Sequence, residues 1–446
     1  MDKKSLFGTT GIRGPADTLF TDQFSFDIGR TFAIFLSDNN LNGAVAVGMD
    51  PRESSPRIKK AFVNGLNSEK RKVYDEGITC IPSMNYILQI NNSLTGSSMI
   101  SGSHIKEDLN GIKFFAFGEE ILKEHEHIIE NIYWDLKGKV GFTGKEPETV
   151  SESKAKDEYI KRLVSLARGY PQWRTVIDTG NGSQTEIMPE VFRRTNLDVI
   201  GINTDLSQKF LAKDTEVPED FKDLQERVVS ETADFGVGFD SDGDRAVFVD
   251  ENGSFIPGDY SCSLIARNSS SDVIVTPVNT SQVIDKIGKH VVRTKVGSSQ
   301  VVQGMKETGS EFGFEANGGG IFLDMMSRDG GRTAIEVLNI MAKSRKKLSE
   351  LISELPSYYI FKEKVAYKWE LKDRIMAEAK EEFKGVKVEE IDGLKIWLDD
   401  NTWILFRSSA NAPEFRVFAE SKDEKKAKKL LLDGISFVKN IIQSSQ

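Results

Sequence analysis

Asp240-Ser241-Asp242-Gly243-Asp244-Arg245 places three carboxylates at alternate positions directly after the apolar run Phe235-Gly236-Val237-Gly238-Phe239. Gathered in low-dielectric surroundings, such carboxylates repel one another unless a hard divalent cation such as Mg²⁺ neutralises them. Arg245 then supplies a fixed positive charge for an anionic substrate. Counted from Asp240, Glu251 falls at the twelfth position of a calcium loop, but Arg245 stands at the sixth, where an EF-hand needs glycine. The flanks 233–239 and 246–250 read as strands rather than amphipathic helices, which also argues against an EF-hand. Taken alone, the run is equally a polar hairpin turn without a ligand, because Asp and Gly are ordinary turn residues.

Four further stretches carry residues fit for chemistry. Ile100-Ser101-Gly102-Ser103-His104 reads as a strand ending at a hydroxyl. Ser103 there could act as a nucleophile on a tight turn, given a nearby base or metal. Adjacency does not make His104 its base, and the Gly-x-Ser-x-Gly elbow of hydrolases is absent. Glu315-Ala316-Asn317-Gly318-Gly319-Gly320 offers a carboxylate and an amide that match sugar hydroxyls, beside glycines that admit a ligand close to the backbone. Arg407-Ser408-Ser409-Ala410-Asn411-Ala412-Pro413-Glu414-Phe415-Arg416 brackets hydroxyls and an amide with two guanidinium forks, the chemistry of a phosphate cradle. Each of the three also has a bland reading as a turn or solvated loop. Phe7-Gly8-Thr9-Thr10-Gly11-Ile12-Arg13-Gly14 spaces glycines about an arginine without the Gly-Lys-Ser/Thr ending of a nucleotide P-loop. Gly48 to Ser55 reads as a strand end and helix start with structural roles.

The elements that must position these loops follow an α/β grammar. Apolar runs such as Ala44 to Gly48, Val176 to Gly182 and Val273 to Thr280 end in Gly, Asp or Thr and lead into helical periodicity. A chain of 446 residues exceeds the size at which one core stops growing. The polar segment around 143–156 suits a boundary, with weaker candidates at 250–258 and 356–364. We expect four domains, at 1–145, 146–250, 251–360 and 361–446. The first three are α/β units, and the last combines strands with two helices. The Lys- and Glu-rich stretch from Lys422 to Lys439 reads as a solvated face. A net charge of -9 argues against nonspecific binding to nucleic acid or anionic membrane. Cys80 and Cys262 lack metal-ligand spacing, and no signal peptide or long apolar span is evident, so a cytoplasmic protein without structural disulfides is expected.

Taken in order, FGTTGIRG, SGSH, DSDGDR, EANGGG and RSSANAPEFR resemble the α-D-phosphohexomutase superfamily of phosphoglucomutases, phosphomannomutases and phosphoglucosamine mutases, with archaeal-type features. The resemblance runs nearly end to end. It implies a four-domain architecture around a central cleft, three mixed α/β domains and a smaller α+β C-terminal domain that closes over substrate. It also implies a phosphoserine at Ser103, whose phosphate passes to a hexose monophosphate and leaves a hexose 1,6-bisphosphate that turns over and returns its other phosphate. Mg²⁺ would be held by Asp240, Asp242 and Asp244 with a phosphoserine oxygen. Arg13, His104, Lys113 and Arg245 would surround the transferring phosphate, with Lys113 a proton acceptor if burial beside other cations lowers its pKa. Glu315 and Asn317 would hold sugar hydroxyls, and Arg407, Ser409, Asn411 and Arg416 the phosphate that does not react.

The chain departs from the family pattern in three places. Ile105-Lys106 stands where Asn-Pro is usual, Asn411-Ala412-Pro413 replaces Thr-Glu-Pro, and Ala316 replaces the second glutamate of some archaeal-type members. The opposing reading is a catalytically impaired homologue that binds sugar phosphates without turnover. A metal-dependent phosphatase with Asp240 as nucleophile accounts for the acidic loop but not for the Ser103 and Arg407 loops.

Overall fold

In the computed structural model, which describes residues 5–8, 11–151, 154–409 and 413–445, the apolar runs form strands and the strands form four sheets. The first contains β1 (Ile12–Pro15), β2 (Ala44–Met49), β3 (Val73–Ile78), β4 (Leu94–Ile100), β5 (Leu109–Ala116), β6 (Glu119–Glu120) and β7 (Val150–Ser151). Their order is β1-β5-β4-β2-β3-β7, with β6 beside β5. The second, β12-β11-β10-β8-β9, is built from β8 (Arg174–Asp178), β9 (Asp198–Ile202), β10 (Phe235–Phe239), β11 (Ala246–Asp250) and β12 (Phe255–Ile256). The third, β14-β13-β15-β16, uses β13 (Val273–Pro277), β14 (His290–Thr294), β15 (Phe312–Glu315) and β16 (Gly319–Phe322).

One rule repeats in these three sheets. Each has neighbouring parallel strands, one of which hands over directly to an antiparallel partner: β4 to β5, β10 to β11, β15 to β16. The connection at each handover leaves the C-terminal end of a parallel strand, where α/β sheets present ligand-binding loops. Ser103 lies in the first handover, Asp240 to Arg245 in the second and Asn317 in the third. The fourth sheet is antiparallel throughout, β17-β21-β20-β19-β18, from β17 (Tyr359–Ala366), β18 (Lys387–Glu389), β19 (Leu394–Asp399), β20 (Thr402–Ser408) and β21 (Glu414–Ser421). Helices Lys372–Glu382 and Glu424–Ser444 complete this α+β domain. The lysines 425, 426, 428 and 429 of the last helix are exposed.

Why the strands hold is plain from burial. All five residues of β10 and of β11 are buried, as a strand covered on both faces requires. Phe32, Val47, Phe62, Ile100 and Phe114 form the core of the first domain. Tyr159, Ile177, Phe239 and Phe248 of the second share one core with Ile265, Phe314 and Leu338 of the third. The fourth packs its own around Ile396, Phe406, Val417 and Ile435. Burying each such side chain contributes roughly 1.5–3 kcal/mol. Polar contacts fasten the fourth domain to its neighbours. Glu420 on β21 accepts from Trp403 Nε1 at 2.6 Å and from Gln282 N at 3.1 Å, and Lys362 on β17 pairs with Glu216. Three strands cross the expected boundaries: β7 pairs with β3 although it follows residue 145, β12 pairs with β11 although it follows residue 250, and β17, which pairs with β21, begins at Tyr359, before residue 361. Among the described residues no helix is long and apolar enough to cross a membrane.

Candidate active site

The Ser103 loop is held from beneath by a buried ion pair. Asp50 follows the end of β2 and accepts from Ser55 Oγ at 2.7 Å, from Ser101 Oγ at 2.7 Å and from Arg52 Nε at 3.0 Å. Arg52 spends the rest of its fork on the loop's backbone. Nη1 donates to the carbonyls of Lys106 at 2.7 Å and Leu109 at 3.2 Å, and Nη2 to those of Ile105 at 2.7 Å and Ser103. The face of the guanidinium lies 4.8 Å from the ring centroid of Phe210, a residue of the second domain. Thus fixed, Ser103 adopts a left-handed φ of 55°, with its N–H donating to Ser101 Oγ at 2.9 Å. A non-glycine residue in that region is uncommon and persists where its surroundings over-determine it. Burial pushes the Asp50 carboxyl above its ordinary range, against the pull of Arg52, Ser55 and Ser101.

Ser103 Oγ lies 3.3 Å from Asp240 Oδ2 and 3.3 Å from His104 Nδ1. The hydroxyl of one domain therefore meets the acidic loop of the next. Asp240, Asp242 and Asp244 each offer a buried carboxylate oxygen, all within 4.8 Å of one another. Lys113 Nζ on β5 reaches Asp242 Oδ2 at 2.9 Å and Asp244 Oδ2 at 3.2 Å. Arg245 Nε stands 3.6 Å from Asp240 Oδ2 and 3.7 Å from Asp244 Oδ1. The other oxygens, Asp242 Oδ1 and Asp244 Oδ1, are buried and accept no hydrogen bond. Burial first, then the charges of Asp242 and Asp244, push Asp240 well up. Burial acts the same way on Asp242, but Lys113 outweighs it by charge and hydrogen bond and holds that carboxyl down. A cluster of hard oxygens, two of them unsatisfied and one carboxyl driven toward its neutral form, fits a hard divalent cation.

The positive groups around it separate into kinds. His104 is held well below its ordinary pKa by burial and then by Arg245 and Arg13, so its ring is neutral. Arg13 on β1 feels Asp242, Asp244, Arg245 and Arg328. Lys113 Nζ reaches two carboxylates and shares Asp244 Oδ2 with Arg328, so acids and a cation both stand beside it. The reason is register: β1 and β4 flank β5, and Lys113 lies opposite Met99, next to the Ile112–Ile100 pair that leads into the Ser103 loop.

Glu315 ends β15, and one of its oxygens, Oε2, accepts from Arg328 Nη1 at 2.8 Å. Arg328 also donates from Nη2 to Asp244 Oδ2 at 2.7 Å, joining the third handover loop to the second. Asn317 turns Oδ1 toward Gly319 N at 3.1 Å, and its carbonyl accepts from Thr215 Oγ1 at 2.8 Å. Gly318, with φ of 86°, brings this loop so close to β11 that a Cβ would stand 2.1 Å from the Ala246 carbonyl oxygen.

On the fourth sheet, Arg407 of β20 lies opposite Arg416 of β21, and Arg416 lies opposite Lys364 of β17. Directly opposed residues share a face, and like charges so placed destabilise a sheet unless an anion or acid answers them. Asp392 answers Arg407 at 2.7 Å and Glu414 answers Lys364 at 2.9 Å, while Arg416 stands 3.7 Å from Glu414 and remains 39 % exposed. Ser409 is buried, with its N–H bonded to the Glu414 carbonyl at 2.8 Å. Asn411 lies outside the described residues. Contacts thus join Ser103, Asp240, Asp242, Asp244, Lys113 and Glu315 into one network. The fourth-domain pair stands apart from it, and the Lys362–Glu216 ion pair ties that domain to the second. Sequence reading missed Arg328 altogether and left Asp50 and Arg52 as scaffold.

Comparison with known proteins follows the same division. Residues 4–138, 157–253 and 257–359 match, respectively, the phosphoglucomutase/phosphomannomutase alpha/beta/alpha domains I, II and III. A protein of Thermococcus kodakarensis named phosphoglucomutase/phosphomannomutase is 36% identical, over 98% of this chain and 99% of its own. A Methanopyrus kandleri protein named probable phosphoglucosamine mutase is 31% identical, over 98% of each. A crystal structure of a phosphoglucomutase/phosphomannomutase family protein from Burkholderia thailandensis superposes with a TM-score of 0.83 at 24% identity, covering 99% of this chain and 98% of that one.

Proposed function

Since the chain belongs to the phosphoglucomutase/phosphomannomutase family, we propose that it interconverts hexose 1-phosphates and hexose 6-phosphates by phosphoryl transfer through Ser103. The observation that carries this reading is the meeting of Ser103 Oγ with Asp240 Oδ2 at 3.3 Å across two domains, because it unites a hydroxyl with a cation-seeking cluster.

Phosphorylated Ser103 gives its phosphoryl group to the free hydroxyl of a bound hexose monophosphate. The Oγ–P bond breaks as the sugar O–P bond forms, and the product is a hexose 1,6-bisphosphate. After the sugar turns end for end, its other phosphate returns to Ser103 and the isomeric monophosphate leaves. Asp240, Asp242 and Asp244, with an oxygen of the phosphoserine, would hold Mg²⁺, which when bound draws charge from the transferring group. The proton of the attacking hydroxyl passes to Lys113 in its unprotonated form and is handed back on the reverse transfer, Asp242 and Asp244 fixing its Nζ in place. Arg13 and Arg245 supply positive charge to the equatorial oxygens, and neutral His104 supplies a hydrogen bond without adding charge. Glu315 and Asn317 hold sugar hydroxyls in either orientation. Arg407, Ser409, Asn411 and Arg416 bind the distal phosphate, whose binding energy orients the reacting end.

A coupled assay across glucose 1-phosphate, mannose 1-phosphate and glucosamine 6-phosphate, with Mg²⁺ and a trace of bisphosphate, tests the proposal. Isomerisation of at least one of them, abolished by chelation, is expected. Ligand-dependent thermal stabilisation with no isomerisation of any would convert the reading to that of a sugar-phosphate binder.

A further inference from the structure

Arg328 is a buried guanidinium whose fork closes on two carboxylates from different loops, Glu315 Oε2 and Asp244 Oδ2. Its backbone has little freedom. Residue 328 bridges to Ile321 beside β16, and the next residue, Asp329, is the N-cap of helix Gly330–Ser344, accepting from Arg332 N at 2.8 Å. Asp329 also accepts from Tyr159 of the second domain. The stem of Arg328 runs over Gly319, where a Cβ would stand 2.5 Å from Arg328 Cδ, so the glycine makes room for the arginine. We infer that Arg328 is a positioning residue that locks the sugar-binding carboxylate Glu315 to the cation-binding carboxylate Asp244, so that sugar orientation and cation binding are coupled. This rests on the role of Glu315 given above. By taking one oxygen of each carboxylate, Arg328 fixes the plane of both. Asp244 keeps Oδ1, which is buried and without a hydrogen-bond donor, for the cation. A lysine carries the charge but lacks the planar fork that meets two acceptors at once.

The test uses calorimetric titration of the full chain with Mg²⁺ alone, and with Mg²⁺ plus whichever of the three hexose phosphates the wild type binds best. Each form's thermal unfolding is recorded alongside. R328Q and R328K are expected to weaken hexose phosphate binding by roughly ten- to hundredfold, the range for one charge-assisted contact, with KM rising in parallel. Mg²⁺ alone should bind about tenfold more weakly to both, since Asp244 is no longer oriented. G319A retains every charge and crowds the Arg328 stem at 2.5 Å, with the Asn317 amide oxygen next at 3.1 Å; it should show the same losses, and the weaker binding of Mg²⁺ alone is the one that a shift of Asn317 would not produce. In an E315Q background, adding R328Q should cost less than about twofold further in sugar binding, because the coupled partner is already gone. Binding within twofold of wild type for R328Q and G319A, or an equal cost of R328Q in both backgrounds, would overturn the inference. Wild-type turnover with unaffected variants removes this inference alone. Binding without turnover removes the mutase reading and leaves the coupling intact, and failure of the wild type to bind any hexose phosphate removes both.

Discussion

Replacing Arg52 by methionine should disable the Ser103 loop although Arg52 touches no reacting atom. The side chain is 1 % exposed and its donors serve the carbonyls of residues 103, 105, 106 and 109 as well as Asp50. Hydrogen bonds to a charged group are worth roughly 1.5–3 kcal/mol each, and removing one partner of a buried ion pair costs about 3–5 kcal/mol. These do not add, since the loop relaxes to water and Asp50, already pushed up by burial, can take a proton. We therefore expect a loss near 4 kcal/mol by urea unfolding, a large part of the ~5–15 kcal/mol of a typical domain. The loss carries a pH signature. A carboxyl raised in the folded state holds a proton that the unfolded state has released, so stability falls as pH rises above the unfolded pKa. Without Arg52 the rise is larger, and the deficit relative to wild type should grow as pH climbs above the unfolded value of about 4. Mutase turnover should fall by at least about a hundredfold, because Ser103 leaves its left-handed conformation and misalignment of a nucleophile costs that much. Stability within about 1 kcal/mol of wild type, at the edge of the usual effect of a surface change, together with turnover within twofold, would refute the reasoning.

Gly318→Ala should destabilise the chain by roughly 2–4 kcal/mol through strain and a backbone clash with Ala246, read in the same unfolding experiment. Lys395 is buried with Nζ 3.9 Å from the Trp403 ring centroid and 3.0 Å from the Val278 carbonyl, and burial followed by Arg293 lowers its pKa to about 7. Between that value and its ordinary one the unfolded state binds more protons, so this group makes stability rise with pH across that window. Lys395→Met should flatten the rise in urea midpoints measured from pH 7 to pH 10. Asp259, pushed up to about 7 by burial, acts with the opposite sign: stability falls as pH rises from near 4 to 7, and Asp259→Asn should remove that fall.

The acidic loop and the Ser103 loop were legible because their chemistry is local: consecutive residues at the end of an apolar strand, with strands on either side. Their partners were not. Arg328 reaches Asp244 across 84 positions, and nothing around Ser327-Arg328-Asp329 marks the arginine as buried rather than solvated. Asp50 and Arg52 were read as scaffold, and the structure keeps them there while giving the scaffold a task, since Arg52 reaches 51 positions forward to the Ser103 carbonyl. Lys113 was named only through the family resemblance, and its neighbours could not be read because they belong to another domain. The same limit applies to sheet membership, as Val150 and Ser151 sit in a polar segment that looked like a linker and yet add an edge strand to the first sheet.

Transfer of label from ³²P-glucose 1,6-bisphosphate to the protein tests the central claim most directly. With Mg²⁺ present, wild-type chain should carry one labelled serine, located at residue 103 by peptide mapping. Ser103→Ala should take up none and lose turnover. Label on a different residue, or full isomerisation by Ser103→Ala, would contradict phosphoryl transfer through Ser103.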